Sequence, residues 1–363
     1  MTSSRFLYSD GVVLYSHDTP PITTFLESHP GAYTTTRTHN NASRLLFWER
    51  HMKRLAESIR ILSNSTRELL FKPNNVIHSL PQLPVTSPMW EPAVRALVND
   101  SMNKVLPIVM KERSDGEELS VTTLVSGNSE RLSGIGNVDV ERVREALDVY
   151  VYVGSYVPLA FGDRGNSARL AVVGHGRDVA NAKYSDWVRL RKPLEKWSPS
   201  SVTELLLSND GDQILEGCRT NFFVVCRKYS DEAKGNYLHD HNSTCAFELQ
   251  TAPISDGVLP GIIRQIVIEV CLSKGISFRE VAPSWSEHET WEEAFITNSL
   301  RLLQHVETIQ VPSSWESLIS TTWEEISWEE KQFKDGPGMI TAIIQKEIME
   351  RAILEGFLLC DAI

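Results

Sequence analysis

Residues 204–226 constrain the fold of this chain more than any other segment. The apolar runs Glu204-Leu-Leu-Leu and Ile214-Leu-Glu216 lie on either side of Asp210-Gly211, a dipeptide that favours a tight turn. A third apolar run, residues 221–226, follows closely. The segment predicts a β-hairpin followed by a buried strand, and it places the carboxylate of Glu216 at the end of a strand.

The length of the chain predicts two domains. A chain of 363 residues is longer than one hydrophobic core usually supports. The stretch 156–165 contains proline and glycine and is interpreted as a linker. We therefore expect a mixed α/β (α+β) protein, with a smaller N-terminal α/β domain over 1–155 and a larger C-terminal domain over 166–363.

Charge and composition argue against several classes of function. The net charge is −11, from 36 basic and 47 acidic residues, which disfavours nucleic acid or an anionic membrane as the main partner. No stretch approaches the ~18 apolar residues of a membrane span. The five cysteines are scattered without a CxxC pair. This pattern predicts a reducing, cytoplasmic location and no metal site.

Local patterns predict the remaining elements. Helices are expected over 48–62, about 90–103, 187–197, from Pro260-Gly261 to Lys274, and over about 338–354. Strands are expected over 105–111 and 120–125, where β-branched and apolar residues are frequent. Residues 228–246 and 312–335 are interpreted as insertions.

One lysine and one carboxylate suggest a particular chemistry. Lys183 lies just before a predicted helix, and Glu216 ends a predicted strand. Pyridoxal 5'-phosphate needs an amine for its aldehyde and a carboxylate beside its ring nitrogen. Its phosphate needs a cation and backbone amides at a helix start. Candidates for the phosphate are Arg54, the amides of Ile262 and Ile263, and the polar residues Thr297, Asn298 and Ser299.

Five segments in this order resemble the class IV (fold type IV) pyridoxal-phosphate aminotransferase family, which includes branched-chain and D-amino-acid aminotransferases and aminodeoxychorismate lyase. The resemblance spans about residues 30–310. His51-Met-Lys-Arg-Leu resembles the family motif HxxRL, and Lys183 corresponds to the family's lysine. Glu216-Gly-Cys-Arg-Thr-Asn-Phe-Phe resembles EGxxxNxF, and Leu259-Pro-Gly-Ile-Ile-Arg resembles LPGxTR. Phe295-Ile-Thr-Asn-Ser-Leu resembles the later phosphate loop.

The resemblance implies a fold, a cofactor site and an assembly. It implies a β-barrel-like core in the larger domain, a cofactor in the cleft between the domains, and a homodimer. It implies that Lys183 binds the cofactor aldehyde and acts as the catalytic base and acid, and that Glu216 contacts the ring nitrogen. Arg54, the amides of Ile262 and Ile263, Asn298 and Ser299 are implied to hold the phosphate. Tyr33 and Arg37, on the segment that aligns with a substrate-facing strand, are implied to touch substrate.

The chain departs from the family pattern at two positions. Ile263 replaces the threonine of LPGxTR, so only its amide remains for the phosphate. Val188 stands five residues after the lysine, where branched-chain enzymes carry a tyrosine. Branched-chain specificity therefore does not follow from the resemblance.

The predicted function is amino transfer from an amino acid to a 2-oxo acid. One alternative is aminodeoxychorismate lyase activity with pyruvate elimination, which Asn298-Ser-Leu favours mildly. Another is a non-catalytic relative that binds the cofactor or a partner through its insertions. Arg54 also admits a structural interpretation, in which it pairs with Glu49 or Glu57 on its own helix. Ser299 admits one as well, in which its hydroxyl is bonded within a turn.

Overall fold

The computed structural model describes residues 5–9, 11–15, 17–71, 90–132, 144–228, 246–316, 318 and 323–359. Its helices are α1 (Ile22–Ser28), α2 (Trp48–Ser65), α3 (Trp90–Glu112), α4 (Ser129–Leu132), α5 (Trp187–Leu190), α6 (Lys192–Glu195), α7 (Ile262–Lys274) and α8 (Met339–Leu354). No helix in these ranges is long and apolar enough to cross a lipid bilayer.

The strands form two sheets. They are β1 (Arg5–Ser9), β2 (Val12–Leu14), β3 (Ala32–His39), β4 (Arg44–Leu45), β5 (Glu118–Gly127), β6 (Leu147–Tyr156), β7 (Ala168–Gly174), β8 (Glu204–Ser208), β9 (Ile214–Gly217), β10 (Asn221–Lys228), β11 (Ala246–Thr251), β12 (Phe278–Glu280), β13 (Trp291–Asn298), β14 (Leu302–Pro312), β15 (Trp328–Gln332) and β16 (Phe357–Leu358).

The chain divides into two compact units. The first comprises residues 1–158, 181–192 and 351–363, and the second comprises 159–180 and 193–350. Two segments that the sequence analysis assigned to the larger domain therefore pack with the first unit. The reason is hydrogen bonding: β16 pairs with β4, and residues 183 and 185 bond to the backbone at the start of β3.

The first unit is a seven-stranded sheet in the order β16-β4-β3-β5-β6-β1-β2, with helices on both faces. On one face, α2 and α3 pack against the sheet. On the other, side chains of α1 and α5 join a core with those of the strands. That core includes Leu7, Phe25, Leu26, Tyr33, Leu124, Tyr150, Tyr152 and Val188. Successive residues of β3 therefore point alternately to two different helical layers.

The second unit contains a closed barrel of six strands, in the order β10-β13-β14-β7-β8-β9 with β9 pairing back to β10. Its interior is apolar, and it includes Leu170, Val172, Leu206, Phe222, Val224, Ile296 and Val306. Strands β11, β12 and β15 extend the sheet, and α7 packs on β13. The predicted α/β class with a barrel-like core is confirmed, and the hairpin predicted around Asp210-Gly211 is β8 and β9.

One predicted strand is wrong. Residues 105–111 belong to α3, which runs to Glu112 and contains Pro107. Val94, Val98, Val105 and Val109 are buried on one side of it, at helical spacing. Tertiary packing of that side overrides the strand preference of the valines. Of the predicted insertions, residues 229–245, 317 and 319–322 lie outside the described part of the chain.

Candidate active site

Lys183 is fixed to the first unit through both of its backbone groups. Its carbonyl accepts the N–H of Tyr33 at 2.9 Å, and its own N–H donates to the Ser58 hydroxyl at 3.1 Å. One bond leads to β3 and the other to α2. The Nζ atom lies 4.5 Å from the centre of the Tyr33 ring. The lysine amine is therefore positioned over the start of β3, although Lys183 belongs to no regular element.

Arg54 is part of a buried hydrogen-bond network. It lies on α2 with 8% of its surface exposed, and its Nη2 donates to the Thr34 hydroxyl at 2.9 Å. The Thr34 oxygen is 2.6 Å from Nδ1 of His51. The contact forms with either tautomer of the His51 ring, because a hydroxyl oxygen has two lone pairs and one proton and can accept from Nδ1 or donate to it.

His51 is held in the neutral form. Burial lowers its pKa well below the usual value, and the positive charges of Arg54 and Lys183 lower it further. Its Nε2 is buried with no hydrogen-bond partner among the described residues. The two cations that the sequence predicted for the site, Arg54 and Lys183, thus act on the same histidine. The sequence analysis used His51 only as part of the HxxRL motif and gave Thr34 no role.

Tyr33 and Arg37 lie on the same face of β3. Tyr33 is 7% exposed and Arg37 is 5% exposed. Thr35 stands between them on that face, and its hydroxyl is 2.9 Å from the Thr122 hydroxyl on β5. Both predicted substrate residues therefore face away from the α2 layer that holds Arg54.

In the second unit, Glu216 lies at the end of β9 with a buried carboxylate. One oxygen accepts Nε and Nη2 of Arg177, at 2.9 and 2.7 Å. The other accepts the Leu259 N–H at 2.9 Å and Nδ2 of Asn221 at 3.3 Å. The side chains of Arg177 and Glu216 are 4% and 3% exposed. Four donors, two of them on a guanidinium, stabilise the charged carboxylate.

Sequence reasoning missed Arg177 and the role of Asn221. Asn221 belongs to the EGxxxN motif, and its Nδ2 also donates to the Leu259 carbonyl at 2.9 Å. It therefore links that motif to the LPG motif. Its position in the motif was a usable signal. Arg177 lies 39 residues from Glu216 in the chain, and no local pattern connects the two.

The start of α7 is the segment predicted to hold the phosphate. Gly261 occupies the position before its first turn, and no side chain caps the helix. A Cβ atom on Gly261 would lie 1.9 Å from Oδ1 of Asn221, so the close approach requires glycine. The side chains of Ile262 and Ile263 are buried, which leaves their amides as the groups suited to a phosphate.

The turn after β13 uses Asn298 in a structural way. Its Oδ1 accepts the N–H groups of Leu300 and Arg301, at 3.1 and 2.8 Å. Ser299 beside it is partly exposed, and its hydroxyl makes no hydrogen bond with any other described residue. Thr297 Oγ1 is buried, also without a partner in that part of the chain. Two hydroxyls therefore have bonding capacity that the fold does not use.

The donor set fits pyridoxal phosphate. The first unit supplies an amine and a guanidinium, Lys183 and Arg54. The second supplies the carboxylate of Glu216, the uncapped start of α7 and the unused Thr297 hydroxyl. An aldehyde, a ring nitrogen and a phosphate each have a matching group among these. Among the described residues, no group of three or more His, Cys, Asp or Glu side chains forms a metal site.

Solved structures with this fold include aminotransferases. A branched-chain aminotransferase from Thermoproteus uzoniensis, solved with norvaline, is 16% identical, with a TM-score of 0.57 over 98% of this chain and 99% of that one. An aminotransferase from Brucella abortus bound to PLP is 13% identical, with a TM-score of 0.57 over 96% and 99%. The Escherichia coli branched-chain aminotransferase is 15% identical, with a TM-score of 0.57 over 96% and 95%.

The fold and the donor set define an aminotransferase-like enzyme with pyridoxal phosphate as its cofactor. The family model for amino-transferase class IV matches residues 31–309, and the chain belongs to that family. This confirms the family, the enzyme class and the cofactor that the sequence predicted. No curated protein matches the sequence.

Proposed function

We propose that this chain is a pyridoxal-phosphate aminotransferase that moves the amino group of an amino acid to a 2-oxo acid, with Lys183 as its catalytic residue. The observation that carries the proposal is the placement of Lys183. Its backbone is bonded on both sides, to Ser58 and Tyr33, and its amine lies over the Tyr33 ring. These contacts hold the lysine in place, as a nucleophile requires.

The cofactor, when bound, supplies an aldehyde that condenses with amines and a ring that accepts electrons from the substrate Cα. Lys183 Nζ would hold the cofactor through its aldehyde. While a substrate amine occupies that place, Nζ would be free to take the proton from the substrate Cα and return it, as base and then acid.

Glu216 has the task of keeping a proton on the ring nitrogen. A carboxylate can do this only while it is charged, and the two bonds from Arg177 favour that form. Arg54, the amides of Ile262 and Ile263, and Ser299 are proposed to hold the phosphate. Asn298 would contribute through the turn that it shapes.

The remaining parts of the proposal concern substrate and assembly. We propose that Tyr33 and Arg37 contact the substrate, and that the enzyme is a cytoplasmic homodimer. The two-domain division with a linker over 156–165 and the cofactor in the cleft between the domains also remain predictions.

A half-reaction tests the activity. Purified holoenzyme is mixed with single L- and D-amino acids, without any 2-oxo acid, and its absorbance is recorded. Conversion to the pyridoxamine form supports an aminotransferase. Pyruvate release from aminodeoxychorismate, without that conversion, would establish the lyase instead. If the protein binds cofactor but changes with neither, it is a non-catalytic relative.

Borohydride tests the lysine. It should fix the cofactor to the wild-type chain and to the control Lys192→Ala, an exposed lysine that pairs with Glu27. It should not fix the cofactor to Lys183→Ala. Fixation to the Lys183→Ala chain would show that another amine holds the cofactor.

A further inference from the structure

Ser58 lies on α2 and makes two hydrogen bonds that lead in different directions. Its hydroxyl donates to the Arg54 carbonyl at 2.9 Å, one turn earlier on the helix. Its oxygen also accepts the backbone N–H of Lys183 at 3.1 Å, from a position 125 residues away in the chain. One fully buried hydroxyl therefore contacts the backbones of both residues that the first unit contributes to the candidate site.

The direction of each Ser58 bond follows from the chemistry of its partner. A carbonyl only accepts and a backbone N–H only donates, so the hydroxyl proton points to Arg54 and a lone pair points to Lys183. If the hydroxyl rotates away from either partner, a bond is lost. Ser58 is 0% exposed, so solvent does not replace the lost partner.

A second serine of α2 shows what is particular to Ser58. The Ser63 hydroxyl donates to the Arg60 carbonyl at 2.8 Å, also within the helix, and Ser63 is buried as completely as Ser58. In the described part of the chain, however, the Ser63 hydroxyl accepts no hydrogen bond. Serine in a helix interior is less favourable than alanine, because its hydroxyl competes for the backbone groups. The bond to Lys183 therefore distinguishes Ser58 from a serine that serves its own helix.

The other backbone bonds around Lys183 lead to β3. The Lys183 carbonyl accepts the Tyr33 N–H at 2.9 Å, and the Ser185 N–H donates to the Gly31 carbonyl at 2.9 Å. Lys183 lies in no helix or strand, so bonds of this kind determine where its backbone sits. The bonds to β3 fix the segment at the start of that strand, and the bond to Ser58 fixes it to α2.

The cofactor makes the distance between its two anchors important. Pyridoxal phosphate carries its aldehyde and its phosphate arm on neighbouring carbons of one ring. The amine and the cation that hold these groups must lie at a set distance, or one molecule does not reach both. Lys183 is the proposed amine and Arg54 the proposed cation, and the Ser58 hydroxyl is bonded to the backbone of each.

We propose that Ser58 is a positioning residue for Lys183. Its hydroxyl holds the lysine backbone against the turn of α2 that carries Arg54, so that one cofactor molecule reaches the amine and the guanidinium together. The inference rests on the proposed function, because it takes Lys183 and Arg54 as the groups that hold the aldehyde and the phosphate.

Three ligands separate an effect on the lysine from an effect on the phosphate. Pyridoxal 5'-phosphate carries an aldehyde and a phosphate, pyridoxal lacks the phosphate, and pyridoxine 5'-phosphate lacks the aldehyde. Equilibrium dialysis measures their affinities for the full chain after removal of its cofactor, in wild type, Ser58→Ala and the control Ser63→Ala. Ser58→Ala should bind both aldehydes about 5- to 10-fold more weakly, and pyridoxine 5'-phosphate within about 2-fold of wild type. Ser63→Ala should bind all three ligands like wild type.

Two further variants distinguish positioning from a general loss of structure. Ser58→Thr keeps a hydroxyl and should bind both aldehydes within about 3-fold of wild type. In a Lys183→Ala background, the addition of Ser58→Ala should change none of the three affinities, because the amine that the hydroxyl positions is absent. If Ser58→Ala does not fold, Ser58→Cys replaces it, since a thiol is only a weak acceptor.

The outcomes separate the two proposals. Equal weakening of all three ligands by Ser58→Ala, unchanged binding of the aldehydes, or a loss that persists without Lys183 would overturn the role of Ser58, and the proposed function would stand. If borohydride fixes the cofactor to Lys183→Ala, the assignment of Lys183 fails and the inference fails with it. If the cofactor is fixed at Lys183 but no amino acid converts it, the aminotransferase activity fails, and the dialysis still tests Ser58.

Discussion

The pair formed by Arg177 and Glu216 allows a quantitative prediction. Replacing Arg177 by Met keeps most of the side-chain volume and removes the cation, which leaves a carboxylate that is 3% exposed. Removing one partner of a buried ion pair typically costs about 3–5 kcal/mol. The buried carboxylate can lose its charge by taking up a proton, which limits this cost. For an ordinary glutamate, with a pKa of about 4.3, that step costs about 3.7 kcal/mol at pH 7 and about 1 kcal/mol at pH 5.

The expected loss of stability for Arg177→Met therefore depends on pH. It should be about 3 kcal/mol at pH 7, since Asn221 and the Leu259 amide still donate to the other oxygen, and about 1 kcal/mol at pH 5. The sign follows from proton binding. The folded variant holds a proton on Glu216 that the unfolded chain releases above about pH 4.3, so the penalty grows as the pH rises.

Urea unfolding of the cofactor-free protein at pH 5, 6 and 7 measures this loss. The double variant Arg177→Met with Glu216→Gln should recover most of the loss at pH 7, because no charge is then buried. Arg189→Met is the control; its side chain is 60% exposed, so its pair with Asp186 should contribute little to stability. A loss below about 1 kcal/mol at pH 7, or an equal loss at all three pH values, would refute the reasoning.

Three further predictions concern residues of the candidate site. Gly261→Ala places a Cβ against Oδ1 of Asn221, so it should cost about 1–3 kcal/mol in urea unfolding and weaken cofactor binding in a titration; unchanged values would contradict the close approach. His51→Asn keeps an acceptor for Thr34 but removes the ring. The pKa of His51 is lowered by burial, so wild type should lose stability as the pH falls below about 6.5, by up to about 1.4 kcal/mol per pH unit, and the variant should lack that contribution in the same unfolding series. Arg54→Gln should weaken pyridoxal phosphate binding about 10- to 100-fold in equilibrium dialysis and leave pyridoxal binding unchanged; an equal effect on both would show that Arg54 does not hold the phosphate.

Local rules explain why some elements were predictable. The turn dipeptide Asp210-Gly211 predicted the hairpin of β8 and β9, and Pro260-Gly261 predicted the start of α7. Each signal depends on the backbone preferences of two adjacent residues. The tertiary structure does not alter such preferences, so the sequence is sufficient there.

The error over residues 105–111 shows where local rules fail. Valine and leucine favour a strand, and Pro107 disfavours a helix interior. In the structure, the helix continues because Val105, Leu106 and Val109 are buried in the first unit. Asn103, whose carbonyl loses its bond to the missing proline N–H, is exposed and can be hydrated. Whether burial outweighs propensity is decided by neighbours that are distant in sequence.

The sequence by itself determined the family and the cofactor, because several short motifs with local chemistry carried them, and it predicted Lys183 and Glu216 as site residues. Only the tertiary structure decided which groups surround those residues. Arg177 pairs with Glu216, which lies 39 residues away in the chain. The Thr34 hydroxyl connects His51 to Arg54. Arg37 is buried, and its one side-chain hydrogen bond among the described residues goes to the Thr38 carbonyl. Hydrogen bonds and charge pairs form between groups that folding brings within a few ångströms, and sequence separation does not encode that distance.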